Sequence, residues 1–150
     1  MSYLVGHITT ASPYIDERIS DIIRINANCT IPTEIQSAMT IVLKAVADQM
    51  EKEGMLGKER FAINCMFLSA DSATIQMNQD EFAVCMKLAL YPIQNLMRDT
   101  SKEMILLILA EELCHLIWEI RDELKVQDKV EEVLKNYDPT ITKKRLGYLI

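Results

Sequence analysis

The sequence predicts a single α+β domain spanning residues 1–150, with N-terminal helices, a small antiparallel sheet, and two C-terminal helices. In the first and last thirds of the chain, apolar residues recur at spacings of three and four, which is typical of helices. Much of the middle third instead alternates apolar and polar residues, and Gly54 and Gly57 separate it from the first helical region. At 150 residues and 49% hydrophobic content, the chain can bury a core of its own.

Two N-terminal helices are predicted, over residues 13–28 and 32–53. Pro13 suits the first turn of the first helix, and several isoleucines follow it at helical spacing. Pro32 opens the second helix, and Gly54 should end it. The second helix should bury one apolar stripe, formed by Ile35, Met39, Val42, Leu43, Val46 and Met50.

Strands are predicted over residues 60–69 and 73–78, on either side of a turn at 71–72. The first is largely apolar, as expected of a buried strand, and the second alternates like a half-exposed one. Residues 81–91 also alternate, although they include good helix formers, and we favour a strand that Pro92 ends.

A long helix is predicted over residues 101–125, because Thr100 to Glu103 matches a helix-capping sequence. We expect a bend at Val126-Gln127, a last helix over 127–137, and a tail over 140–150 that packs back. On a helical wheel the long helix has one apolar side, formed by Leu106, Ala110, Leu113, Ile117, Ile120 and Leu124.

The most concentrated chemistry in the chain is Glu111-Glu112-Leu113-Cys114-His115, of which Glu111 and His115 fall on the opposite side of this helix and Glu112 on its flank. Residues four apart project from the same face, so Glu111 and His115 can reach one metal ion. Glu112 would then face an open coordination position, where a general base belongs. The alternative is a plain solvated face, since Glu119 and Asp122 continue the same polar stripe.

The segment Leu109-Ala110-Glu111-Glu112-Leu113-Cys114-His115-Leu116-Ile117-Trp118 resembles the active-site helix of small zincin metallopeptidases of the minigluzincin type. The family motif is H-E-x-x-H in an aliphatic frame, and the predicted order of helices and strands is also similar. The resemblance implies that His115 is a zinc ligand and Glu112 the base that activates water. This chain has Glu111 in place of the first histidine, and a carboxylate ligand lowers the Lewis acidity of zinc.

A third ligand is not evident from the sequence. The resemblance implies an acidic ligand after the predicted bend, which leaves Glu131, Glu132 and Asp128 as alternatives. Acidic residues on the long helix itself are expected to be poorly placed for this role: Glu119, Asp122 and Glu123. The only other histidine is His7.

Several other functions are disfavoured. A net charge of −6 without a basic stripe argues against nucleic-acid binding, and the longest apolar run is too short to cross a membrane. The four glycines form no phosphate-binding loop, and a di-iron bundle would need a second E-x-x-H. The N-terminus lacks a basic, apolar signal sequence, so we expect a cytoplasmic protein with four reduced, buried cysteines: Cys29, Cys65, Cys85 and Cys114.

The sequence therefore favours a degenerate zincin-like protein that is non-catalytic or binds metal weakly. Zinc is the expected cofactor if one is bound, and an empty site is favoured over an occupied one. One alternative is an active metal-dependent peptidase, with Glu111 and His115 as ligands and Glu112 as general base. The other is a small interaction module without a metal site, whose partner would be an unidentified protein or peptide.

Overall fold

The computed structural model describes residues 3–5, 13–58, 62–69, 74–76, 87–98 and 101–148, which form an α+β arrangement. The helices are α1 (Thr33–Lys52), α2 (Ile93–Met97), α3 (Lys102–Ile117) and α4 (Glu123–Leu134). The strands are β1 (Tyr3–Val5), β2 (Ile23–Ala27), β3 (Ile63–Leu68), β4 (Thr74–Gln76) and β5 (Lys87–Pro92).

The main sheet is parallel, in the order β2-β3-β5, so the predicted antiparallel sheet is wrong here. Cys65 in the central strand pairs with Ile25 on one side and Ala89 on the other. The reason lies in α1, a 20-residue crossover that brings the chain back before β3 begins, so that β3 runs in the same direction as β2. Strands β1 and β4 form a separate antiparallel pair.

The predicted helix over 13–28 is wrong. Only a short 3₁₀ turn forms at Glu17–Ile19, capped by the side chain of Asp16, and the chain then enters β2. In β2 the end residues Ile23 and Ala27 are buried while Arg24 is exposed, as in a strand. Isoleucine is β-branched and favours strands, and pairing with β3 overrides the local helical spacing.

The other predicted helices and strands are largely confirmed. Helix α1 matches the prediction over 32–53, and Ser101 caps α3 by accepting a hydrogen bond from the Met104 N–H at 3.2 Å. Strands β3 and β4 lie within the two predicted strands, and β5 confirms the strand favoured for the described part of 81–91. The prediction fails at the far end of α3, which stops at Ile117 rather than 125. The predicted bend at Val126-Gln127 is also wrong, because these residues lie inside α4, which begins at Glu123 and ends at Leu134.

Helices α1, α3 and α4 pack together, α3 contacts β5, and their buried side chains share one core with those of the parallel sheet. Of the apolar stripe predicted on α3, the members Leu106 to Ile117 are buried, Ile120 is half-buried and Leu124 is 71% exposed. The tail packs back as predicted, burying Ile141 and Leu146. No described helix combines the length and apolar character needed to cross a membrane.

Candidate metal centre

The last two turns of α3 form the floor of an open cleft of about 800 Å³. Buried side chains of this segment, such as Leu113 and Ile117, face the core. The polar side chains therefore face outwards, and the cleft is lined by Lys87, Glu111, Glu112, His115, Glu119 and Glu123, among others.

Three of these side chains converge on one point. Ligand atoms of Glu111, His115 and Glu123 all lie within 4.8 Å of one another. Glu111 and His115 are four residues apart on α3, as predicted from their spacing, whereas Glu123 is the first residue of α4. Two carboxylates and an imidazole form a donor set that suits divalent transition metals.

Glu123 reaches this point because the chain turns sharply after α3. Glu119 adopts the left-handed conformation, with φ of 53°. The Ile120 N–H then donates to the His115 carbonyl at 3.2 Å, which closes a Schellman-type helix end. Asp122 starts α4 by accepting a hydrogen bond from the Lys125 N–H at 2.9 Å. The N-terminus of α4 therefore lies beside the C-terminus of α3.

His115 is held in a fixed orientation. Its Nδ1 lies 2.5 Å from the carbonyl oxygen of Ile120, and its Nε2 lies 3.7 Å from a carboxylate oxygen of Glu123. The side chain is only 20% exposed. A carbonyl can only accept a hydrogen bond, so Nδ1 carries the proton, and in the neutral imidazole the lone pair is on Nε2. Protein histidines that bind metal are commonly oriented in this way.

Glu111 is oriented by Tyr148, which lies in the C-terminal segment of the described chain, residues 140–148. The hydroxyl of Tyr148 donates to Oε2 of Glu111 at 2.6 Å. Both side chains are half-buried. Burial and the Glu111 carboxylate together raise the pKa of Tyr148 far above its usual range, so this hydroxyl stays a donor.

Glu112 lies beside the three converging side chains. Although much of this residue is exposed, partial desolvation of its carboxyl raises its pKa above the usual value. The positive charge of a protonated His115 acts against this shift, while the charges of Glu111 and Glu123 add to it. A raised pKa makes the carboxylate of Glu112 a stronger base than that of an exposed glutamate.

Lys87 lies at the β5 side of the cleft. Its ammonium donates to the carbonyl of Leu116 at 2.8 Å and pairs with Glu119 at 3.3 Å. It therefore satisfies a carbonyl at the end of α3, where cations are favoured by the helix dipole.

The acidic residues predicted as alternatives for a third ligand lie elsewhere. Glu131 accepts a hydrogen bond from the Lys143 N–H at 2.7 Å, and Asp128 pairs with the Lys143 ammonium. Glu132 lies in a separate network with Gln49 and Lys129. The residue that joins the cluster is Glu123, which was expected to be poorly placed because the long helix was predicted to include it. The capping residue Asp122 was the available signal for a new helix start.

The cysteines take no part in this cluster. Cys65 and Cys114 are buried and Cys29 is half-buried, while Cys85 and the second histidine, His7, lie outside the described residues. Burial raises the pKa of the Cys65 thiol to about 12 and that of Cys114 higher still. Neither buried thiol is therefore activated as a nucleophile.

No protein-family model matches this chain, and no curated protein or solved structure is detectably similar to it.

Proposed function

We propose that this chain is a zincin-like protein that binds one divalent metal ion through Glu111, His115 and Glu123. The observation that carries the proposal is the convergence of these three donor atoms within 4.8 Å on the floor of a cleft. The orienting hydrogen bonds from outside the cluster support it, because Ile120 fixes the imidazole and Tyr148 fixes one carboxylate.

The donor set favours weak binding by a borderline or hard ion. Two carboxylates and one imidazole suit Zn²⁺, Mn²⁺ and Fe²⁺ better than a thiophilic ion such as Cu⁺. The side chain of Glu123 is 72% exposed, so it must lose conformational freedom when it binds a metal. We therefore propose an affinity below that of a site with two histidines and a buried glutamate.

Glu112 gives this site a route to peptide hydrolysis. A bound divalent ion supplies Lewis-acid chemistry for water and for a peptide carbonyl. The Glu112 carboxylate would accept the proton of the attacking water and return it to the leaving amine. The position of Glu112 in the cleft beside the three proposed ligands supports this role.

A metal-free interaction module is the second candidate. It is favoured by the fact that the cluster already has partners without an ion: Tyr148 bonds Glu111, and Glu123 lies near His115. For both candidates we propose a cytoplasmic location, which is supported by the two buried free thiols.

Metal binding is tested by titrating the purified, chelator-treated protein with Zn²⁺ and Mn²⁺ in a calorimeter. One site per chain is expected, and Glu123→Gln should weaken it by more than about tenfold, because a direct ligand is lost. Glu132→Gln is the matched control: it removes an acidic residue of α4 outside the cluster and should leave the affinity unchanged. Wild-type protein with no saturable site for either ion would refute the proposal.

Catalysis is tested separately, with a quenched fluorescent peptide library and the metal-loaded protein. Glu112→Gln should keep the metal affinity within a few-fold and abolish cleavage, since it removes the base but none of the three ligands. If the loaded wild-type protein cleaves nothing, the site is a binding site only. Equal cleavage by wild type and Glu112→Gln would show that Glu112 is not the base.

A further inference from the structure

Tyr148, in the segment that follows α4, forms a hydrogen bond to one of the three clustered side chains. We propose that Tyr148 is a positioning residue for the metal centre, which holds one oxygen of Glu111 so that the other can ligate. This inference rests on the proposed metal site. It adds a residue that lies 37 positions from Glu111 and outside the ten-residue segment that carries the zincin resemblance.

The contact is short and directional. The Tyr148 hydroxyl lies 2.6 Å from Oε2 of Glu111, within the range of a hydrogen bond to an ionised acceptor. A carboxylate has two oxygens, and engaging one of them removes the rotational freedom of the group. Glu111 would therefore bind the ion through a single oxygen in a fixed direction. The conformational entropy of its side chain would already be reduced in the metal-free protein.

Tyr148 is itself held in place by the fold. Leu146 is buried at 1% exposure and anchors the segment to the core. Gly147 has a φ of 97°, which a side chain would strain, and the Tyr148 N–H donates to the Lys143 carbonyl at 2.9 Å. The Lys143 N–H in turn donates to Glu131 on α4. The hydroxyl is thus presented by a turn attached to the helix that begins at Glu123.

This arrangement links two parts of the proposed centre. Helix α4 carries Glu123 directly and holds Tyr148 through the Lys143 contact, and Tyr148 orients Glu111 on α3. A metal ion bound by all three donors would therefore favour the docked form of the C-terminal segment. By linkage, the docked segment favours metal binding to the same extent.

The test compares Tyr148→Phe with wild type in Zn²⁺ and Mn²⁺ titrations. Phenylalanine keeps the ring and its packing and removes only the hydroxyl. We expect the affinity to fall by about 10- to 100-fold, the usual effect of losing a residue that orients a ligand. Tyr137→Phe is the matched control: its hydroxyl contacts Lys102, away from the cleft, and its loss should not change the affinity.

A spectroscopic readout separates positioning from general stability. In the Co²⁺-loaded protein, Tyr148→Phe should alter the visible absorption bands, because the ligand field that Glu111 exerts on the ion changes. Tyr137→Phe should leave these bands unchanged. If wild type binds metal and Tyr148→Phe has the same affinity and spectrum, the inference is wrong and the proposed site stands. If wild type binds no divalent ion, both the site and the inference are refuted.

Discussion

His115 and Ile120 are joined by two hydrogen bonds that run in opposite directions. The backbone N–H of Ile120 donates to the His115 carbonyl at 3.2 Å, and the Ile120 carbonyl lies 2.5 Å from the His115 Nδ1. The first bond ends α3 and the second orients the imidazole. The same turn therefore ends the helix and directs Nε2 towards the cleft.

Glu119 makes this turn at an energetic cost, and its replacement by glycine should stabilise the protein. A residue with a Cβ loses about 1–2 kcal/mol in the left-handed conformation, whereas glycine enters it freely. We expect Glu119→Gly to raise the free energy of unfolding by about 0.5–1 kcal/mol, after allowing for the added freedom of the unfolded chain.

Glu119→Gln is the control for this measurement. It removes the exposed ion pair with Lys87 and keeps the strained backbone, so it should change the stability by less than about 0.5 kcal/mol. Urea unfolding curves of wild type, Glu119→Gly and Glu119→Gln measure the three free energies of unfolding. Equal stability of Glu119→Gly and wild type would contradict the prediction, because the strain relieved would then be no larger than the added entropy of the unfolded chain.

The same turn explains which helix ends could be predicted from the sequence. Helix α1 ends in a Schellman motif, in which Gly54 has a φ of 67° and the Met55 N–H donates to the Met50 carbonyl at 2.8 Å. Glycine signals this ending, and the prediction is confirmed. Helix α3 ends in the same way at Glu119, where no glycine marks the position, and the prediction runs eight residues too far, from 117 to 125.

Because the end of α3 was not predicted, only part of the candidate site was predicted. Glu111, Glu112 and His115 follow from spacing within one helix, because residues four apart share a face. Glu123 requires knowledge of a turn between two helices, which depends on tertiary packing of α4 against α1 and α3. Contacts within a helix can be read from the sequence. The Asp122 cap can indicate where α4 begins, but the approach of Glu123 to His115 depends on how the two helices pack.

Tyr91 provides a test of the packing between β5 and α3. It is 1% exposed, its ring stacks on Phe67 at a centroid distance of 5.1 Å, and its hydroxyl donates to the Leu109 carbonyl at 3.0 Å. We expect Tyr91→Phe to lower the free energy of unfolding by about 1–2 kcal/mol, since the stack remains and the buried hydrogen bond is lost. Tyr137→Phe, at 42% exposure, should cost less than about 0.5 kcal/mol in the same chemical denaturation experiment.

The ion pairs of Arg18 should make a pH-dependent contribution to the stability of the protein. Its guanidinium bonds Asp16 at 2.9 Å and Asp48 at 2.7 Å, joining the turn before β2 to α1. Hydrogen bonding to Arg18 lowers the pKa of Asp16 below the ordinary 3.8. Burial alone would raise the pKa of Asp48, but hydrogen bonds from Arg18 and Lys44 outweigh it and lower this pKa too. Both carboxyl groups therefore bind fewer protons in the folded state than in the unfolded state.

The sign of the pH dependence follows from these lowered pKa values. The stabilisation is complete above the ordinary carboxyl pKa and is lost as the pH falls through the lower, folded-state value. Arg18→Met should therefore cost about 1–2 kcal/mol at pH 7 and progressively less below about pH 4. Lys44→Met, which removes a largely exposed pair with Asp48, should have a smaller effect. A loss in Arg18→Met that is independent of pH would contradict the assignment.

The buried thiols should be protected in the folded protein. Cys65 and Cys114 are buried, and burial raises the pKa of both. Because the thiolate is the reactive form, a Cys29→Ala/Cys85→Ala double variant should react with a thiol reagent only after denaturation. Stoichiometric labelling of that variant within minutes in native buffer would show that at least one of the two thiols is accessible.

His115→Ala distinguishes a solvated imidazole from one that the fold uses. In metal-free protein, a histidine on a solvated face would cost no more than about 0.5 kcal/mol on removal. The hydrogen bond to Ile120 and the low exposure of the ring predict a larger loss of about 1–2 kcal/mol.

With Zn²⁺ at 100 times its dissociation constant, wild type should gain about 2.7 kcal/mol further, and His115→Ala should gain almost none. Glu119→Gln, which keeps the imidazole, should show the full gain. Thermal unfolding with and without Zn²⁺ measures both effects, and an unchanged metal-free stability in His115→Ala would mean that the imidazole is merely solvated.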